Sequence, residues 1–262
     1  MYPTLFHIGP VAVHSYGTLL MLGFIAGILL CGRQAKRLGL PGELAVDLGL
    51  WALVGSIIGA RVVFVALNWG GFALRPQEAF FVWETGGLSF HGGLLGGVVA
   101  ALLLARRRRV PFWSLADMAA PGIALGYGIA RFGCFFNGCC YGAPTSLPWG
   151  VQFPIYPDSP IMTEPSHPTQ IYSALGSFVI LAVLLWARAR LPVRGQLFLL
   201  YLALYSILRS LVEVLRRDYT AQRAFDGITQ AQVLSAIVFV AAVFGTLWFR
   251  RRGGSASAPG GK

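Results

Sequence analysis

A chain of 262 residues that is 56% hydrophobic and only 12% charged, with a mean hydropathy of +0.65, carries about half the charge of an ordinary soluble domain. Its net charge of +11 does not describe a nucleic-acid groove either. Fourteen of the 21 Lys and Arg residues stand in four short clusters at alternate ends of apolar runs: Arg33/Lys36/Arg37, Arg106–Arg109, Arg188/Arg190/Arg194, and Arg250–Arg252 with Lys262.

The pattern predicts an all-α membrane protein, a seven-transmembrane helix bundle with spans near 12–32, 44–68, 88–105, 114–136, 168–187, 196–216 and 227–249. Residues 1–10 lack a basic segment and no small-residue cleavage site follows, so the first span is expected to be retained rather than removed. Basic clusters follow spans 1, 3, 5 and 7, which puts the N-terminus in the periplasm and the C-terminus in the cytoplasm. Loops 69–87 and 137–167 then lie outside and are expected to form a periplasmic cap, the second being proline-rich and folded over rather than helical. Residues 1–252 read as a single polytopic membrane domain, and 253–262, rich in Gly, Ser and Ala, as a disordered cytoplasmic tail. Gly55/Gly59, Gly92/Gly93/Gly96/Gly97 and Gly122/Gly126/Gly128 are small-residue faces for close helix packing.

Charged groups at membrane depth cost roughly 2.5–3.5 kcal/mol each on insertion scales and normally face a protein interior. With the orientation above, Arg61, His91, Arg131, Asn137 and His167 all fall in the outer half. So do Tyr205, Arg209, Glu213 and Arg216, whose i, i+4, i+8, i+11 spacing makes one helical face. Plainer readings stand beside these: Arg209 and Glu213 as an ion pair that neutralises two buried charges, Arg216 and Arg217 as interfacial snorkellers, His7 and His14 as interfacial residues. A transporter would place its polar groups nearer the midplane, whereas this arrangement suits chemistry on a lipid head group.

Cys134, Cys139 and Cys140 admit several accounts: small inert packing residues, a disulfide in an oxidising compartment, redox chemistry, or a zinc site, although C-x4-C-C is not a usual ligand spacing. Cys31 reads as packing.

At GGLSFHGGLLGG (86–97) the chain resembles the prolipoprotein diacylglyceryl transferase family. The resemblance continues through HSYGTLLMLGF (14–24), ARFGCFFNG (130–138), HPTQIYSAL (167–175), LYSILRSLVEVLRRD (204–218) and ITQAQVLS (228–235), in order and over most of the chain. It implies a bacterial inner-membrane enzyme, active toward the periplasm, that moves the diacylglyceryl group of phosphatidylglycerol onto the lipobox cysteine of a prelipoprotein signal peptide. Its partners would be those two substrates and membrane lipids, with no nucleic acid, no metal and no cofactor. By resemblance the catalytic residues are His91, Arg131 and Arg209, and the substrate-binding residues are Tyr16, Asn137, His167, Tyr172, Tyr205, Glu213 and Arg216. Where the commoner signature reads GNFxNGExxG this chain reads GCFFNGCCYG, with Cys134 and Cys139 in place of an amide and a carboxylate.

The product of such a reaction is a thioether, so a thiolate must attack an sp3 carbon and expel a phosphate ester. Arg131 and Arg209 suit the leaving phosphate, because guanidinium binds its oxygens in a fork and stays charged. His91 is either the general base or a hydrogen-bonding partner of the head group while the arginine field acidifies the thiol. The competing class is a transporter or flippase that binds an anionic head group through Arg131 and Arg209 without chemistry.

Overall fold

A computed structural model describes residues 1–9, 11–81, 86–155, 160–191, 193–216, 223–225 and 228–253. An N-terminal hairpin, β1 (Thr4–Ile8) with β2 (Val11–His14), leads directly into α1 (Ser15–Arg37). There follow α2 (Glu43–Leu67), a short α3 (Trp69–Phe72), a 3-10 turn at Pro76–Ala79, α4 (Phe90–Arg107) and α5 (Phe112–Asn137). The chain closes with α6 (Thr169–Ala187), α7 (Gln196–Arg216), a two-stranded β3 (Arg223–Phe225) and β4 (Ile228–Thr229), and α8 (Gln230–Gly253). Seven of these helices are long and apolar enough to cross a membrane, the seven spans expected from the sequence. The expected tail at 253–262 and the snorkelling reading of Arg217 lie outside the described residues, apart from Gly253 at the end of α8.

The helices remain greasy on the outside. Leu29, Val62, Val179, Leu211 and Val240 are each at least 60% exposed, which is tolerable only if lipid covers them. Without a hydrophobic drive between helices in lipid, close packing must come from small residues.

The chain divides into two compact units, Gly32–Met118 and Met1–Cys31 with Ala119–Lys262. In the first, α2 and α4 cross on a glycine stripe: a Cβ at Gly55 would stand 2.7 Å from the Gly96 carbonyl oxygen and 2.5 Å from the Ala100 Cβ. Ser56 and Gly97 meet on the same seam. Ser89 caps α4, its hydroxyl accepting from the Gly92 amide at 3.4 Å.

In the second unit α1 and α5 approach through Gly23 against Gly126 and Gly27 against Gly122, where an added Cβ would meet a backbone oxygen. Cys31 packs beside them, buried, its thiol 4.0 Å from the Ala119 carbonyl. Ala120, Ala124, Ile180, Leu184, Ala187, Leu197 and Tyr201 form the core between α5, α6 and α7. The Ser177 hydroxyl adds a bond to the Ala124 carbonyl at 2.8 Å.

Backbone oxygens cannot move aside as a side chain can, so Gly55→Ala is expected to destabilise the protein by about 1–3 kcal/mol. Gly70→Ala, which meets nothing within 4 Å, should change stability by less than about 0.5 kcal/mol. Thermal unfolding in detergent checks both, and equal effects would refute the packing role of the stripe.

Candidate active site

The site begins where α5 ends. Gly138 and Cys140 take positive φ values of 75° and 67°, and they fold the chain back over the helix's last turns. The fold-back is gripped by the start of α6: the Thr169 hydroxyl donates to the Cys140 carbonyl and the Gln170 amide to the Cys139 carbonyl, both at 2.7 Å. Both side chains are fully buried. Beyond the turn, the Gly142 amide donates to His167 O at 2.9 Å and the Ala143 amide to Leu215 O at 2.8 Å. Gly142 sits where a Cβ would lie 2.7 Å from the Leu215 carbonyl and 2.9 Å from the His167 Cβ. One turn therefore ties together the end of α5, the start of α6 and the end of α7.

The described residues of the long loop beyond the turn form a folded ribbon, as expected of its prolines. Val151 and Ser166 exchange amide hydrogen bonds at 3.0 and 2.9 Å, and the Thr163 amide donates to Phe153 O at 2.8 Å. Phe153, fully buried, stacks on Tyr141 with ring centroids 4.8 Å apart and pins the ribbon down. Trp149 donates to the Tyr172 hydroxyl at 2.8 Å, and that oxygen lies 3.4 Å from His167 Nδ1.

Three arginines within apolar helices are compensated in three different ways. Arg61, buried in α2, is consumed by carbonyls: Nε donates to Ala79 O and Nη2 to Glu78 O at 2.7 Å, and Nη1 to Gly86 O and, at 3.2 Å, Gly87 O. The rings of Phe64 and Phe72 lie 5.8 and 5.4 Å from its guanidinium carbon. Arg61 thus staples the loop that leads into α4, and its role is structural. Arg209 forms an ion pair with Glu213, one turn along α7 and almost wholly buried.

Arg131 is different. Its guanidinium lies 4.8 Å from the Tyr127 ring centroid, and Tyr205 lies within its electrostatic reach. The Tyr127 and Tyr205 rings meet edge to face at 5.3 Å, and Tyr205 stacks on Tyr201. No carboxylate joins this group among the described partners, and Arg131 Nε is buried with no hydrogen-bond acceptor. An aromatic face softens the cost of the charge without consuming the hydrogen-bonding fork.

The cysteines at the turn are free thiols, so of the accounts the sequence left open the disulfide is not the one present here. Cys134, Cys139 and Cys140 place their sulfurs within 4.8 Å of one another. The neighbouring Cys134 and Cys139 thiols hold the Cys140 thiol below its ordinary range, and the charges of Arg216 and Arg131 act in the same direction. Asn137 is the last residue of α5, two positions before Cys139. Tyr16, at the start of α1, is within electrostatic reach of the three thiols and Arg131, and an added Cβ at Gly133 would stand 3.2 Å from the Tyr16 Cα.

One compact unit thus assembles Tyr16, Arg131, Asn137, His167, Tyr172, Tyr205, Arg209, Glu213 and Arg216 from α1, α5, α6, α7 and the loop between α5 and α6. His91 belongs to the other unit, exposed in the first turn of α4 with its ring 5.7 Å from that of Phe90. Sequence reasoning overlooked Tyr127, although it stands four residues before Arg131 on the same helical face. It also passed over Thr169 and Gln170, which lie inside the very HPTQIY segment from which only His167 and Tyr172 were chosen. A cavity of about 280 Å³ lies between α7 and α8, lined by Ser206, Ser210, Leu211, Ser235 and Phe239.

Comparison with known proteins gives a consistent result. The family described as prolipoprotein diacylglyceryl transferase matches residues 3–248. A phosphatidylglycerol–prolipoprotein diacylglyceryl transferase of Synechococcus elongatus is 37% identical over 254 residues, covering 94% of this chain and 86% of the relative. Proteins of the same name from Nostoc and Gloeobacter violaceus are 36% and 37% identical, covering 94% and 98% of this chain and 88% and 96% of their own lengths.

Removing the Arg61 staple leaves loop carbonyls without their donor, at about 1–3 kcal/mol for each one that stays buried. Arg61→Met is expected to lower the unfolding temperature and to open the 73–88 segment to limited proteolysis. A variant cut no faster than the parent would show that the loop is held by other contacts.

Proposed function

Since the chain belongs to the prolipoprotein diacylglyceryl transferase family, a multi-pass membrane family, we propose that it transfers the diacylglyceryl group of phosphatidylglycerol to a prolipoprotein, with the lipobox cysteine as acceptor. The acceptor sulfur forms a bond to the terminal glycerol carbon of the diacylglyceryl group while the bond from that carbon to the phosphate oxygen breaks. Glycerol phosphate leaves with the bonding electrons, and the thiol proton passes to a base. The product is a thioether.

The observation that carries this reading is Arg131, whose buried Nε lacks an acceptor beside the Tyr127 ring. A phosphate diester offers the missing anionic oxygens. Negative charge grows on that phosphate as the carbon–oxygen bond breaks, so a fixed guanidinium stabilises the transition state more than the ground state. Arg209 is the second cation of the clamp, aimed by Glu213, and Tyr205 lies in the field of both arginines. Arg216, Asn137, His167, Tyr172 and Tyr16 line the same end of the helices as substrate-binding groups. His91 acts as the base or as a head-group ligand, a role supported by its SFHGG motif alone.

The alternation of basic clusters supports a periplasmic N-terminus, a cytoplasmic C-terminus and a single membrane domain in the cytoplasmic membrane, with the reaction at its outer face and the two long loops above it. The reading needs no cofactor. Binding without chemistry, as in a lipid transporter, would use the same arginines, so product analysis separates the two.

Purified protein, phosphatidylglycerol and a lipobox peptide should yield glycerol phosphate and diacylglyceryl-peptide in equal amounts. Lipid binding with neither product would instead favour transport. Arg131→Ala and Arg209→Ala should each lower transfer by about 100-fold or more with the protein still inserted in the membrane. Arg131→Lys should recover little, because an ammonium lacks the fork. Full activity in Arg131→Ala would end the phosphate-clamp role.

A further inference from the structure

The transfer reaction as written uses none of Cys134, Cys139 and Cys140, yet the fold gathers their sulfurs within 4.8 Å. Pairing any two as a disulfide leaves the third over. Three thiolates on a tetrahedral zinc-like ion, with bonds near 2.3 Å, need sulfur–sulfur spacings of roughly 3.8 Å, a short contraction from that limit.

The surroundings hold the sulfurs in this arrangement. Cys140 has a φ of 67°, a left-handed conformation that costs a non-glycine residue of order 1–3 kcal/mol and persists only where neighbours over-determine it. Those neighbours are Thr169 and Gln170, which grip the two carbonyls of the Cys139–Cys140 turn from within the core, and the Cys139 amide, which donates to the Cys134 carbonyl at 3.1 Å. Such anchoring of the backbone behind the donor atoms is what orients a metal's ligands. Charge also balances: three thiolates around a divalent ion leave one negative charge, and Arg131 and Arg216 both place positive charge near Cys140.

We propose that Cys134, Cys139 and Cys140 form a three-thiolate site for a thiophilic divalent metal ion, of which zinc is the representative. Three protein donors fill three of zinc's four tetrahedral positions and leave one open to an outside ligand, with sulfur the favoured donor class. The site does not depend on the transfer reaction and stands or falls separately from it.

The test uses the full chain in detergent, reduced, stripped with a chelator and kept free of lipid and peptide. Cadmium is titrated while the sulfur-to-metal charge-transfer absorption is followed, and zinc affinity is measured by competition with a chromophoric chelator. The expected result is one ion per chain with a thiolate band. Cys31→Ser should bind unchanged, and Cys134→Ser, Cys139→Ser and Cys140→Ser should each bind at least about 10-fold more weakly. A wild-type chain with no thiolate band overturns the site without recourse to any variant. Unchanged zinc affinity in the folded triple serine variant overturns it equally. Transfer activity, assayed on the same stripped and reloaded samples, reports on the transferase reading alone.

Discussion

The structure depends on how it keeps guanidinium groups inside apolar helices, where an uncompensated charge costs several kcal/mol. Arg61 gives its Nε, Nη1 and Nη2 donors to the carbonyls of the following loop, so its charge builds architecture. Arg209 shares its charge with a buried carboxylate, which fixes its direction. Arg131 rests on a phenol ring and keeps a buried nitrogen without an acceptor. The same residue type thus carries three roles, and the partner decides among them: carbonyls make a staple, a carboxylate makes an aimed cation, and an aromatic face leaves a cation ready for an anion.

The turn after α5 carries a comparable burden. Its left-handed Cys140 would be strained alone, yet Thr169, Gln170 and Leu215 anchor the turn from two other helices. That anchoring sets where Arg131, Asn137 and the three cysteines stand relative to His167 and the face of α7. Exchanging an amide and a carboxylate of the common family signature for Cys134 and Cys139 changes the donor chemistry at this turn, while backbone bonds made through carbonyls and amides are indifferent to that exchange. The scaffold can therefore host a sulfur-rich variant of the site without being rebuilt.

Much of this was legible in the sequence because lipid imposes a length rule. A span needs about 20 apolar residues, so seven runs announced seven helices, with ends displaced by a few residues: 12–32 became Ser15–Arg37 and 227–249 became Gln230–Gly253. The first shift has a physical cause, since residues 12–14 pair with β1 as a strand rather than entering the helix. Such short strands gain stability only from the partner they meet. The site residues on α7 were legible because a helical period of 3.6 aligns Tyr205, Arg209, Glu213 and Arg216 on one face.

By itself, then, the sequence determined the fold class, the number of spans, the family and the identity of the unusual polar groups, since each follows from local composition, period or motif. Which cation is spent on structure and which is kept for a ligand was decided only by the tertiary structure. Arg61 and Arg131 look alike in the chain, one in each of two glycine-bearing helices. Their difference lies in carbonyls supplied from 17 to 26 residues away and in a tyrosine ring one turn back. The gathering of three cysteines also required the turn to fold back and be clasped by α6. Contacts of that kind are set by three-dimensional closure, and no pattern of neighbouring residues encodes them.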